Sequence, residues 1–235
     1  MNLHNPWQSD PAIVAKAIKI PFRFKNCAFM KDSRGFAIYS GLPSTRVFSD
    51  LRAEASSLMK EARKQETWEM ESHQNNRVDF KSDRERQVRR CKQSVGGGPI
   101  QIRMYQDPRL SRFLSDECGL RLVPSGRRGS YTYYARPGDF LGLHRDTSYC
   151  DLVMITVLED NSSPHEPSGS LVLYPGRTNE DLSSIRATPK VGAEMFKILP
   201  GQTILLMGGV IPHRVIPTGP DQKRVISALC FRALR

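Results

Sequence analysis

The chain has 235 residues, 39% hydrophobic and 25% charged, which gives enough apolar material for one globular core and excludes the composition of a disordered chain. Thirty-five Lys and Arg against 24 Asp and Glu leave a formal charge of +11, which suits nucleic acid, an acidic protein partner or a carboxylate-bearing substrate without choosing among them. Five scattered cysteines without CxxC spacing (Cys27, Cys91, Cys118, Cys150 and Cys230) argue against a disulfide framework and a thiolate zinc site, and fit a reducing cytoplasm.

Residues 1–43 carry Pro6, Pro11, Pro21 and Pro43 and one short apolar stretch, Phe36 to Tyr39, that suits a strand leading into a turn. The opening MNLHNPWQSD lacks a basic-then-apolar signal, and no later segment approaches the roughly 20 apolar residues of a membrane helix, so a soluble, unexported cytoplasmic protein is expected. From Ser44 the apolar positions Val47, Leu51, Ala55, Leu58 and Ala62 recur at spacings of three and four, which predicts an amphipathic helix. Residues 71–98 have no periodicity and carry Arg84, Arg86, Arg89, Arg90 and Lys92 into Gly96-Gly97-Gly98. They read as a mobile basic loop with a glycine hinge or lid, and not as a phosphate-binding loop, because no GK[ST] follows.

A second helix is marked by Asp107 as N-cap, Pro108 at its first position, the stripe Leu110, Phe113 and Leu114, and Gly119 as its stop. After it come short β-type segments: Ser130 to Ala135, Leu152 to Leu158, Ser170 to Tyr174, Thr203 to Met207, Arg214 to Ile216 and Val225 to Phe231. Closely spaced strands with Pro, Gly, Asn and Ser between them indicate a sandwich or barrel. The N-terminal half is therefore expected to supply helices that support a C-terminal β-fold.

The chemistry is concentrated in that β-region. His144 and Asp146 are separated by one residue at a strand end, so alternation puts both on one face. Alone, HxD is a weak signal. His213, which follows the apolar strand Thr203 to Met207 and a Gly-Gly turn, adds a second imidazole, and two His with one carboxylate form the facial triad that leaves three positions open on Fe(II). A structural zinc site would instead be closed by four protein ligands. Eleven residues after His213, Arg224 offers a planar guanidinium suited to bidentate pairing with a carboxylate.

These motifs, in this order, resemble the 2-oxoglutarate/Fe(II) dioxygenase superfamily, most closely its prolyl-4-hydroxylase-like branch. The resemblance covers about Tyr131 to Phe231 and rests on Tyr134, His144-Arg145-Asp146, Gly169-Ser170-Leu171 running to Pro175-Gly176, Pro212-His213 and Arg224. It implies a mainly β fold with supporting helices around a double-stranded β-helix (jelly-roll, cupin-like) core. One domain, 1–235, is expected, with residues 1–120 as helical or irregular support and 121–235 as the core.

The resemblance further implies Fe(II) held by His144, Asp146 and His213, with 2-oxoglutarate and O2 as co-substrates. Arg224 would take the distal carboxylate of 2-oxoglutarate. The strand Leu152 to Leu158 lacks the tyrosine this branch often places beside that carboxylate, with Thr156 its only hydroxyl, so Tyr134 and Ser227 stand as second anchors. Asp146 separates the chain from the related halogenases, which have Gly or Ala there, and steers the expectation to hydroxylation with release of succinate and CO2.

The expected substrate is a small molecule, amino-acid-derived or tethered to an acidic carrier protein. A peptidyl hydroxylase is the alternative. Oxidative demethylation of nucleic acid ranks lower, because aromatics are sparse in the basic loop, and a non-catalytic scaffold ranks below it because all four key residues are intact. His4, His73 and His165 read as solvated, Arg145 as turned away from the metal, and Arg136, Arg177 and Arg214 as surface charge.

Overall fold

A computed structural model describes Phe24, residues 27–67 and residues 88–234 of the chain. Its helices are α1 (Ala28–Asp32), α2 (Thr45–Leu58), α3 (Pro99–Tyr105), α4 (Pro108–Cys118) and α5 (Leu182–Ala187). Its strands are β1 (Phe36–Ser40), β2 (Arg63–Thr67), β3 (Arg90–Gly96), β4 (Leu122–Pro124), β5 (Ser130–Tyr134), β6 (Phe140–His144), β7 (Leu152–Asp160), β8 (Leu171–Leu173), β9 (Glu194–Phe196), β10 (Gln202–Leu206), β11 (His213–Val215) and β12 (Arg224–Ala233).

The strands pair in the order β1-β10-β7-β12-β5-β3-β6-β11-β8-β9, antiparallel throughout. Because β2 runs along one edge of β3 while the other edge pairs with β6 at Arg90 and Cys91 and with β5 from Gln93 to Gly96, β3 bridges two faces, a larger one that carries β5 and a smaller one of β6, β11, β8 and β9. This is the expected double-stranded β-helix. Alternation along β5 sorts the side chains: Tyr131 and Tyr133 join Leu51 and Ala55 of α2 in a buried cluster, while Ser130, Thr132 and Tyr134 face the opposite side, toward the interior. Each fully buried side chain of Leu51's kind contributes about 1.5–3 kcal/mol, which fastens the helical layer to the outside of the barrel.

The helix signals are met where capping chemistry is local. Asp107 accepts Arg109 N at 2.8 Å, Pro108 opens α4, and Gly119 closes it in the left-handed conformation at φ 62°. The stripe read from Ser44 forms α2, followed by a 3-10 turn at Met59–Glu61. The strand expected at Phe36 to Tyr39 is β1, and it pairs with β10.

The basic loop is corrected in its second half. Arg90–Gly96 is a strand whose neighbours are β2, β5 and β6, and it hides from periodicity because its inward face is polar. Nor are the three glycines a hinge. A Cβ on Gly97 would lie 1.7 Å from Gln101 Oε1 and one on Gly98 2.7 Å from Glu54 Oε1. The glycines let the start of α3 press onto Glu54, which accepts Ile100 N at 2.6 Å and Gln101 N at 3.0 Å. Residues 71–87, with Arg84 and Arg86, lie outside the described residues, as do Pro6, Pro11, Pro21, His4 and His73.

Cysteine spacing also misled. Cys150 and Cys230 form a disulfide across 80 residues, their Cα atoms 5.0 Å apart, while Cys27, Cys91 and Cys118 are free and buried. The pairing follows from β12 returning beside the start of β7, where Asp151 N donates to Phe231 O at 2.8 Å. Among the described residues no helix is long and apolar enough to cross a membrane.

Candidate metal centre

His144 closes β6 and His213 opens β11, and the two are directly opposed in the ladder. Their rings stand 4.2 Å apart between centroids. Two residues past His144 the chain leaves the strand, and Asp146 N donates to Gly208 O at 2.8 Å, which brings its carboxylate back over both imidazoles. Asp146 Oδ1 lies 3.7 Å from His144 Nε2 and 3.8 Å from His213 Nε2, and one ligand atom from each of the three lies within 4.8 Å of the others.

Backbone carbonyls set the tautomers. His144 Nδ1 donates to Gly142 O at 2.8 Å and His213 Nδ1 to Ile211 O at 2.9 Å, so both Nε2 lone pairs point at Asp146 and a shared centre. Burial, then the neighbouring His144, pushes His213 down to about 4, which keeps it neutral and able to donate electrons to a metal at pH 7. The set fits a divalent ion with three protein ligands and open positions.

Two further residues, Gly208 and Arg145, hold this triad in place. Gly208 must lack a side chain, because a Cβ there would lie 2.0 Å from Asp146 Oδ2. Arg145 does point away from the metal as expected, but into protein: its Nε donates to Val210 O at 2.8 Å and its Nη2 to Thr178 O at 2.7 Å and Glu180 O at 3.0 Å. It ties the turn before His213 to the segment after β8. Arg177, expected on the surface, is buried against Glu180 at 2.6 Å and the carbonyls of Thr188 and Val191. Arg136 pairs with Asp139 at 3.2 Å, and His165 is exposed.

Arg224 starts β12 directly opposite Tyr134 of β5 and Asp160 of β7. Its Nη1 donates to Asp160 Oδ2 at 2.6 Å and to Ile198 O at 3.1 Å, and Lys197 Nζ lies 3.4 Å from the same carboxylate oxygen. All three side chains are at most one-tenth exposed. Two cations against one carboxylate leave this buried cluster with an excess of one positive charge, a configuration that favours an incoming anion. Beside it Tyr134 is a buried residue whose hydroxyl has no hydrogen bond among the described residues; burial raises its pKa well above the ordinary phenol value, and Arg224 opposes that rise. Ser227 is not brought to this cluster. Three residues along the strand it faces the other side, where its hydroxyl accepts Gln101 Nε2 at 2.8 Å. Thr156 likewise shares its hydroxyl bond with Thr203 at 2.7 Å.

A cavity of about 660 Å³ opens over His144 and Asp146, walled by Ser130, Leu141, Tyr149 and Cys230 and by the β2–β3 hairpin.

No protein-family model matches the sequence, and no curated protein matches it. Solved structures do. The chain is similar to the prolyl-4-hydroxylase of Pseudomonas putida at 15% identity and a TM-score of 0.54, over 88% of this chain and 96% of that one. It is similar to SnoN, a non-haem α-ketoglutarate-dependent epimerase from nogalamycin biosynthesis, at 12% identity and a TM-score of 0.63, over 91% and 82%. HygX from Streptomyces hygroscopicus, solved with nickel and 2-oxoglutarate, aligns at 16% identity and a TM-score of 0.58, over 88% and 86%. The fold is that of the 2-oxoglutarate/Fe(II) oxygenases, prolyl-4-hydroxylases among them.

Proposed function

We propose that this chain is a 2-oxoglutarate-dependent non-haem iron dioxygenase that hydroxylates an unactivated C–H of a small substrate and releases succinate and CO2. The observation that carries the reading is the convergence of His144 Nε2, His213 Nε2 and the Asp146 carboxylate at the mouth of a double-stranded β-helix.

Fe(II) held there would supply oxygen activation coupled to decarboxylation of the co-substrate. The chain's own residues do the rest. Gly142 and Ile211 fix the imidazole rings through their Nδ1 protons, so no rotation is needed on metal binding. Arg224, with its cluster one positive charge in excess, and the unbonded Tyr134 hydroxyl would receive the distal carboxylate of 2-oxoglutarate at the far end of the interior. Leu141 and Tyr149 would limit water over the reacting carbon.

The test is succinate release from 2-oxoglutarate by Fe(II)-loaded protein, with and without a panel of amino-acid-derived and carrier-tethered candidates. Turnover that depends on Fe(II) and is abolished by His213→Ala, with the fold retained, is the expected result. Wild-type protein that binds Fe(II) yet consumes no 2-oxoglutarate across the panel overturns the reading.

A further inference from the structure

The cavity over the metal ligands is walled on one side by β3, and β3 turns its charged face inward. Arg90 and Lys92, two residues apart, both line the cavity together with His144 and Asp146. The Lys92 ammonium is half-buried and makes one long hydrogen bond, 3.4 Å to Thr132 Oγ1. Among the described residues it has no carboxylate within ion-pairing distance. Burial, then the charge of Arg90, lowers it to about 8, so it stays largely charged at pH 7. Among the described residues the acids that line the cavity are committed elsewhere: Glu66 pairs with Lys64, and Asp146 belongs to the triad. A half-buried ammonium with one weak hydrogen bond, beside a second cation, is an arrangement that favours an anion in the cavity.

That anion has a different address from the distal carboxylate of 2-oxoglutarate. Arg224 is opposite Tyr134 and Gln93 is opposite Tyr133, so Lys92 and Arg224 stand about two strand spacings, roughly 10 Å, apart across β5; Lys92 lines the open cavity and Arg224 does not. Lys92 sends its ammonium to Thr132, away from Tyr134 and toward Ser130 at the mouth. The two cations thus differ in what they face: Lys92 the open cavity, and Arg224 the enclosed cluster with Asp160 and Lys197.

We propose that Lys92, backed by Arg90, is a specificity residue that receives an anionic group, a carboxylate or a phosphate, carried by the primary substrate. The proposal rests on the oxygenase reading for the reaction performed at the metal. The charge complementarity of the cavity stands apart from it.

The experiment is calorimetric titration of full-length protein loaded with Ni(II) and 2-oxoglutarate, using two matched pairs of probes. Phenylacetate against phenylacetamide tests a carboxylate, and benzyl phosphate against benzyl alcohol tests a phosphate. The anionic member of at least one pair is expected to bind about tenfold or more tighter than its neutral partner, the range of a charge-assisted contact. Lys92→Met should erase that preference, Lys92→Arg should keep most of it, and 2-oxoglutarate affinity should stay within about threefold in both. The pair that discriminates identifies the group.

Equal binding within both pairs, no binding of either anion, or a preference that survives Lys92→Met overturns the proposal. So does a large loss of 2-oxoglutarate affinity in Lys92→Met, which would make Lys92 a co-substrate anchor. If the wild type takes Ni(II) but not 2-oxoglutarate, the oxygenase reading fails instead, and the same titrations on the Ni(II) protein still decide the role of Lys92.

Discussion

A Cβ on Gly208 would lie 2.0 Å from Asp146 Oδ2 and 2.9 Å from its Cγ, and the same glycine's carbonyl accepts Asp146 N at 2.8 Å. Turn and carboxylate thus hold each other. Gly208→Ala forces the carboxylate to rotate off the two imidazoles, and a loss of about 10–100-fold in Ni(II) affinity is expected, the usual penalty for disturbing a metal's supporting residues. Calorimetric titration measures it, with circular dichroism to check the fold. Undiminished affinity would mean that Asp146 binds from another rotamer or not at all.

Arg224→Ala should separate co-substrate from metal. Ni(II) affinity is expected to be unchanged, while the 2-oxoglutarate concentration needed for half-maximal turnover rises by about tenfold or more. Among the described residues the variant also leaves Asp160 with Lys197 as its one ionic partner, so urea denaturation should show a stability loss of about 3 kcal/mol, the lower end for breaking a buried pair. An unchanged 2-oxoglutarate requirement would assign the distal carboxylate to another residue.

The same pair sets an acid limit. Burial alone would raise the Asp160 carboxyl, but the hydrogen bond from Ser162 and the charge of Arg224 hold it below the ordinary value. A carboxyl depressed in the folded state binds fewer protons there than in the unfolded chain. Its stabilisation is therefore complete above the unfolded value of about 3.9 and is lost as pH falls through the folded value. The stability gap between wild type and Asp160→Asn should accordingly be constant from pH 7 to 5 and shrink below pH 4. A gap that widens in acid would reverse the sign of the interaction.

Thiol titration in denaturant tests the cross-link. Without reductant three thiols should react, from Cys27, Cys91 and Cys118, and after reduction five. Cys230→Ala removes a bridge spanning 80 residues and should cost about 2–4 kcal/mol. Five reactive thiols without reductant would show Cys150 and Cys230 to be a free pair.

What could be read in advance was local chemistry in ordered sequence. Helix α4 announced itself because N-cap, Pro and left-handed Gly act within a turn of one another. His144 and Asp146 were visible because two residues on one strand share a face, and Arg224 because of its place relative to His213. What stayed hidden depends on register between distant strands. Asp160 and Lys197 meet Arg224 only because β7 pairs with β12 and the chain after β9 crosses beside it. Strand β3 escaped notice because its inward positions, Arg90 and Lys92, line a site instead of a core, which removes the apolar alternation that marks a half-buried strand. Ser227 was expected beside the co-substrate from position in sequence alone; strand alternation turns it to Gln101.

The central claim is tested most directly by adding Fe(II) and then 2-oxoglutarate to the folded protein under anaerobic conditions and recording the visible spectrum. A weak metal-to-ligand charge-transfer band that needs both additions and is absent in His213→Ala is the expected result, since chelation requires open positions beside the three protein ligands. A folded wild-type protein that binds Fe(II) and gives no band with 2-oxoglutarate would contradict the assignment of His144, Asp146 and His213 to a 2-oxoglutarate oxygenase centre.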